Sequence, residues 1–246
     1  MFEQGSWVAI ALLQWTCCVA VGLPVYLVAT RRTTAGWRTP VWLAVWFLGF
    51  VFLAHLPPIW PFRGNLWQTM TLQGILGMVL VAAGGSLCQA GVTWRIPSSA
   101  WAASAATTGL FLLFVVARRA LIRLAGLGPG DERVPIEFLV YQLTAPGFAE
   151  ELFYRGVVQP RLNEILGRPW NLLGAQVGWG WVITSIIFWA PHAFRVDRSM
   201  HLSFYWPTLS MQLFAGFVYG WIRERAGSVL PPILTHNLVN VVWSLV

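Results

Sequence analysis

Apolar runs long enough to cross a bilayer core, which takes about 20 residues of helix, recur along the whole chain. They fall at roughly 8–29, 40–60, 70–92, 99–122, 134–158, 171–193, 202–222 and 229–246. Lipid offers backbone N–H and C=O groups no partner, so each run has to satisfy its own hydrogen bonds as a helix. The expected fold class is all-α, a polytopic membrane protein of about eight transmembrane helices. Composition agrees, with 57% hydrophobic and 10% charged residues, where a soluble domain carries about 25% charged. Trp7, Trp37, Trp60, Trp67, Trp94, Trp170, Trp206 and Trp221 sit near proposed run ends, as an interfacial aromatic belt requires. Trp46 and Trp181 fall mid-run and read as packing residues.

A formal charge of +7 raises nucleic acid as a partner, but every basic residue is an arginine and the arginines are dispersed among short loops. No basic stripe exists, so nucleic acid is excluded and the expected surroundings are lipid headgroups. Glu3 precedes the first run, and Arg31, Arg32 and Arg38 follow it. That order suits a retained first span with its N-terminus outside. Arg118, Arg119, Arg123 and Arg133 would then lie on the opposite side, which leaves the orientation open. Cys17, Cys18 and Cys88 lie in apolar runs and read as small hydrophobes, with neither disulfide nor metal spacing.

The strongest break is LAGLGPGDERVP at 124–135, whose glycines, prolines and charges mark a connector. It divides the chain into N-terminal helices, 1–130, expected to supply scaffold or substrate contact, and a catalytic region, 131–246. The first half holds few ionisable groups within its runs, chiefly His55. With Gln14 and Gln89 it is read as helix-to-helix hydrogen bonding.

Chemistry concentrates after the connector. In FAEELFYRGVV, 148–158, Glu151 and Arg155 are four apart and pair along one helical face. Pairing offsets a cost of about 2.5–3.5 kcal/mol for each charge at bilayer depth. Glu150 sits about 100° around the helix and is left over, the position in which a buried carboxylate becomes a general base. FWAPHAF places Phe188 and His192 four apart, with Pro191 disturbing the local hydrogen bonding, and THNLVN places His236 and Asn240 four apart. Either histidine alone is more often a packing residue. Together, Glu150, His192, His236 and Asn240 make a base, a second proton carrier and two hydrogen-bond donors, the inventory for hydrolysis by activated water. The same residues also suit a proton or cation relay, so a transporter is the competing class, and a non-catalytic maturation or immunity factor is a third. A zinc ion held by Glu150, His192 and His236 is a further possibility. There is no HExxH and no GxSxG. GPGD at 128–131 lacks a second intramembrane aspartate, since Asp197 lies in a polar loop.

EELFYR fits the pattern EExxxR, FWAPH fits FxxxH, and HNLVN fits HxxxN. In these motifs and their order the chain resembles the type II CAAX prenyl protease and bacteriocin-processing (CPBP, or Abi) family of intramembrane glutamic endopeptidases, over about 134–246. The resemblance implies that Glu150, with His192, activates a water for attack on a peptide carbonyl. It assigns His236 and Asn240 to the oxyanion, and Glu151, Arg155 and Phe188 to support. It implies no metal and no cofactor, and a polar cavity among the C-terminal four helices. The expected partner is a membrane-associated protein or peptide in the lipid bilayer. Arginine without lysine hints at a high-GC bacterial genome, hence the cytoplasmic (inner) membrane and a sorting or leader segment as substrate.

Overall fold

The computed structural model describes residues 4–31, 37–59, 65–84, 87, 89–127, 133–197 and 199–246. The expectations placed on Glu3, Arg32, Trp60, Cys88 and the 128–131 turn lie outside the described residues. Helices dominate. They are α1 (Gln4–Thr30), α2 (Arg38–Ala54), α3 (Asn65–Ala83), α4 (Ser98–Leu124), α5 (Ile136–Phe153), α6 (Gln159–Leu166), α7 (Trp179–Ala193), α8 (Phe214–Ala226) and α9 (Leu230–Leu245). A wide π turn, Tyr154–Val158, joins α5 to α6 without a break, and a second, Leu209–Leu213, leads into α8.

Among the described residues three stretches are long and apolar enough to cross a bilayer: Trp7–Thr30, Leu66–Ala83 and Ser98–Leu124. Helix α2 is apolar but shorter.

Two expected helical runs are shorter than the sequence suggested, and the fold is not purely α. At the start of the 171–193 run, β1 (Trp170–Leu172) and β2 (Ala175–Val177) form an antiparallel hairpin. Its two-residue turn has Leu173 at φ 50° and Gly174 at φ 80°, the left-handed pair a tight hairpin uses. Ahead of α8, β3 (Phe194–Val196) pairs with β4 (Leu202–Phe204). The loop between them is fixed by Asp197 Oδ1, which accepts from the N–H groups of Ser199 and His201. The run expected at 70–92 starts earlier and ends at Ala83.

The two halves share one core. Helix α3 packs along α5, with Gly74 and Gly77 lying against Phe148 and Leu152, and small residues are what allow helices to approach closely in lipid. Phe50 of α2 stacks on Phe153 with ring centroids 4.3 Å apart. Helix α5 also lies along α9, and that contact repairs a local defect. Pro146 interrupts the hydrogen-bond ladder of α5. The Asn237 side chain from α9 fills in, accepting from Gly147 N–H at 2.8 Å and reaching Thr144 O at 3.5 Å. At Gly147 a Cβ would lie 2.7 Å from Ile233 O. Backbone cannot yield there as a flexible side chain would, so Gly147→Ala is expected to cost about 1–3 kcal/mol through overpacking. A lowered midpoint in thermal unfolding of the detergent-solubilised protein is the check.

Candidate active site

The most buried charges are Glu151 and Arg155, one turn apart in α5 and the π turn, and both 0% exposed. Arg155 Nε lies 3.1 Å from Glu151 Oε2, too bent for a good hydrogen bond, and Nη1 lies 3.4 Å from Oε1. The pairing is therefore chiefly coulombic. Arg155 Nη2 donates to Gly216 O of α8 at 2.9 Å. Its guanidinium lies 4.5 Å from the Phe188 ring centroid and 5.6 Å from that of Tyr219, where cation–π attraction adds to the pairing. His236 Nδ1 donates to Glu151 Oε1 at 2.8 Å, because an ionised carboxylate only accepts. The His236 ring stacks on Tyr219 at 4.8 Å and 16°. One ion pair thus gathers α5, α7, α8 and α9.

Beside it is a cavity of about 310 Å³ whose lining includes Glu150, Phe188, His192, Tyr219, His236 and Asn240. The C-terminal helices do not enclose it alone, since Leu66 and Met70 of α3 also line it. Glu150 makes no ion pair or hydrogen bond with another described residue, and its Oε2 is buried without a partner. His192 Nδ1 donates to Phe188 O at 2.9 Å, which leaves Nε2 as the ring nitrogen free for a further partner. The Asn240 side chain forms no hydrogen bond with another described residue, whereas its backbone O accepts from Ser244 Oγ. Among the described residues, no three His, Cys, Asp or Glu side chains gather as a metal would require.

Several contributors escaped the sequence reading. Asn237 lies between His236 and Asn240 and serves the backbone of α5 rather than the cavity. Its signal was indirect, a proline inside α5 that had to be compensated. Tyr219 carried no motif. Glu224, 5% exposed, accepts from Gln159, Asn163 and Arg168 at 2.8, 2.9 and 2.7 Å, fastening α6 and the loop after it to α8.

Apolar helices packed around buried ionisable groups, together with the comparisons, indicate an integral membrane peptide hydrolase of the CAAX type. Residues 133–242 match the family described as Type II CAAX prenyl endopeptidase Rce1-like. No curated protein and no solved structure matches the chain.

Removing Arg155 leaves Glu151 charged, buried and held only by His236. Breaking such a pair typically costs about 3–5 kcal/mol. Arg155→Leu is expected to lower stability by that order, and the double variant Arg155→Leu with Glu151→Leu to recover part of the loss, both read by thermal unfolding.

Proposed function

We propose that the protein is a glutamate-dependent intramembrane endopeptidase. Glu150 acts as general base and, with His192, takes a proton from a water that attacks a peptide carbonyl. His236 and Asn240 stabilise the oxyanion, while Glu151, Arg155 and Phe188 hold His236 and the helix turn in place. The observation that carries the reading is the unpartnered Glu150 carboxylate lining one cavity with His192, His236 and Asn240.

The hydrogen bonds constrain the protons. His192 spends its Nδ1 proton on Phe188 O, so neutral His192 offers a lone pair at Nε2. His236 spends Nδ1 on Glu151, so donation to an oxyanion through Nε2 requires both ring protons. The charges of Glu150, Glu151, Arg155 and His236 then sum to zero, the condition under which such a group is tolerated away from water.

Residues 131–246 form the catalytic region on this reading, and residues 1–130 supply scaffold and substrate contact. The protein spans the bacterial cytoplasmic membrane several times, and the substrate is a membrane-associated protein or peptide, cut at a sorting or leader segment.

A positioned base contributes about 10²–10⁴ in rate. Cells carrying Glu150→Gln or His192→Ala should therefore accumulate an uncleaved membrane-associated protein that the wild type processes. Purified active protein should keep its activity in a strong zinc chelator. Unchanged processing of every membrane and exported protein, with altered ion or solute flux, would replace the protease by a transporter.

A further inference from the structure

A second cavity, of about 220 Å³, reaches Glu150 and His192 from the side of α1 and α2. Its wall comes largely from the half of the chain that carries no motif, with Gln14, His55, Thr69 and Gln73 facing Glu150 and His192. The two cavities share Glu150, His192 and Met70, so this acid and this histidine stand between them.

Two oxygens on this wall are unsatisfied. Gln73 is 3% exposed, and its Nε2 donates to Phe50 O at 2.8 Å. Its Oε1 is buried without a partner, as is Glu150 Oε2. An amide oxygen and an ionised carboxylate only accept, so neither can serve the other. What satisfies them must fit the cavity and donate hydrogen bonds. Water does this, and at about 30 Å³ per molecule the cavity takes several.

The remaining wall is already fixed. His55 Nε2 donates to Gln14 Oε1 at 2.6 Å, and Gln14 Nε2 donates to Pro191 O and Phe194 O, each at 2.9 Å. The amide is thereby locked in orientation. It also caps the end of α7 that carries His192, where carbonyls lack helical partners.

We infer that this second chamber binds water and supplies the molecule that Glu150 deprotonates, with Gln73 as the other acceptor, leaving the cavity beside α8 and α9 to the peptide. The N-terminal helices are then part of the catalytic apparatus and not scaffold alone. The inference rests on Glu150 as the base.

Radiolytic hydroxyl labelling of the full-length protein in lipid nanodiscs, read by mass spectrometry, tests it without a substrate. Phe50 and Tyr154 are 5% and 2% exposed and line only the second of the two cavities. Both should be hydroxylated in the wild type. Labelling should fall to background in Gln73→Leu and weaken in Thr69→Val, while Met200 in the exposed β3–β4 loop stays unchanged as the control. Unlabelled Phe50 and Tyr154 in the wild type overturn the inference, as does labelling that persists in both variants. A dry chamber with Glu150-dependent cleavage removes the chamber and leaves the protease. A hydrated, Gln73-sensitive chamber with cleavage indifferent to Glu150 removes the protease and the supply role with it.

Discussion

A guanidinium with no access to solvent, Arg155, organises this molecule. A buried charge is tolerated only when countered and hydrogen-bonded, and each partner of Arg155 comes from a different place. Glu151 is one turn back, Gly216 O is on α8, Phe188 is on α7, and His236 reaches Glu151 from α9. Satisfying one cation thus fixes the mutual rotation of the helices that line the larger cavity. In lipid, where apolar surface gives helices little reason to associate, such polar pins and close packing decide the arrangement.

The same logic extends to the N-terminal half. Its polar side chains are few, and three of its glutamines donate to distant backbone carbonyls: Gln14 at the end of α7, Gln73 on α2, and Gln68 at Pro57 in the loop after α2. Aromatic stacking of Phe47 and Phe50 on Phe153 and Tyr154 brings α2 against the helix that carries both glutamates. The half without motifs therefore still determines how the motif-bearing helices sit.

Legibility in the sequence followed from how local each cause was. Helices α1, α4 and α9 lie close to their apolar runs because lipid-facing composition is a property of the segment alone. The hairpins at 170–177 and 194–204 were invisible: in the first, tryptophan and leucine suit a short strand as well as a span and only the turn at Gly174 tells them apart, and the second read as a polar loop around Asp197. The Glu151–Arg155 pairing was legible because four residues make about one turn. That His236 meets Glu151 and not Glu150 was not legible, because neighbouring carboxylates differ only in azimuth and α9 approaches from outside the segment. Asn237 and Gln73 were illegible for a related reason, since each answers a need created on another helix.

The wide turn at Tyr154–Val158 closes with Gln159 N–H on Tyr154 O, five residues back instead of four. One residue is accommodated there without a further revolution, so the stripe holding Glu151 and Arg155 is out of phase with the stripe holding Gln159 and Asn163. No single helical wheel describes 136–166. A gapless comparison with a sequence lacking this bulge would set Gln159 and Asn163, which meet Glu224, one position away from their counterparts, and a one-residue indel at 154–158 restores the correspondence.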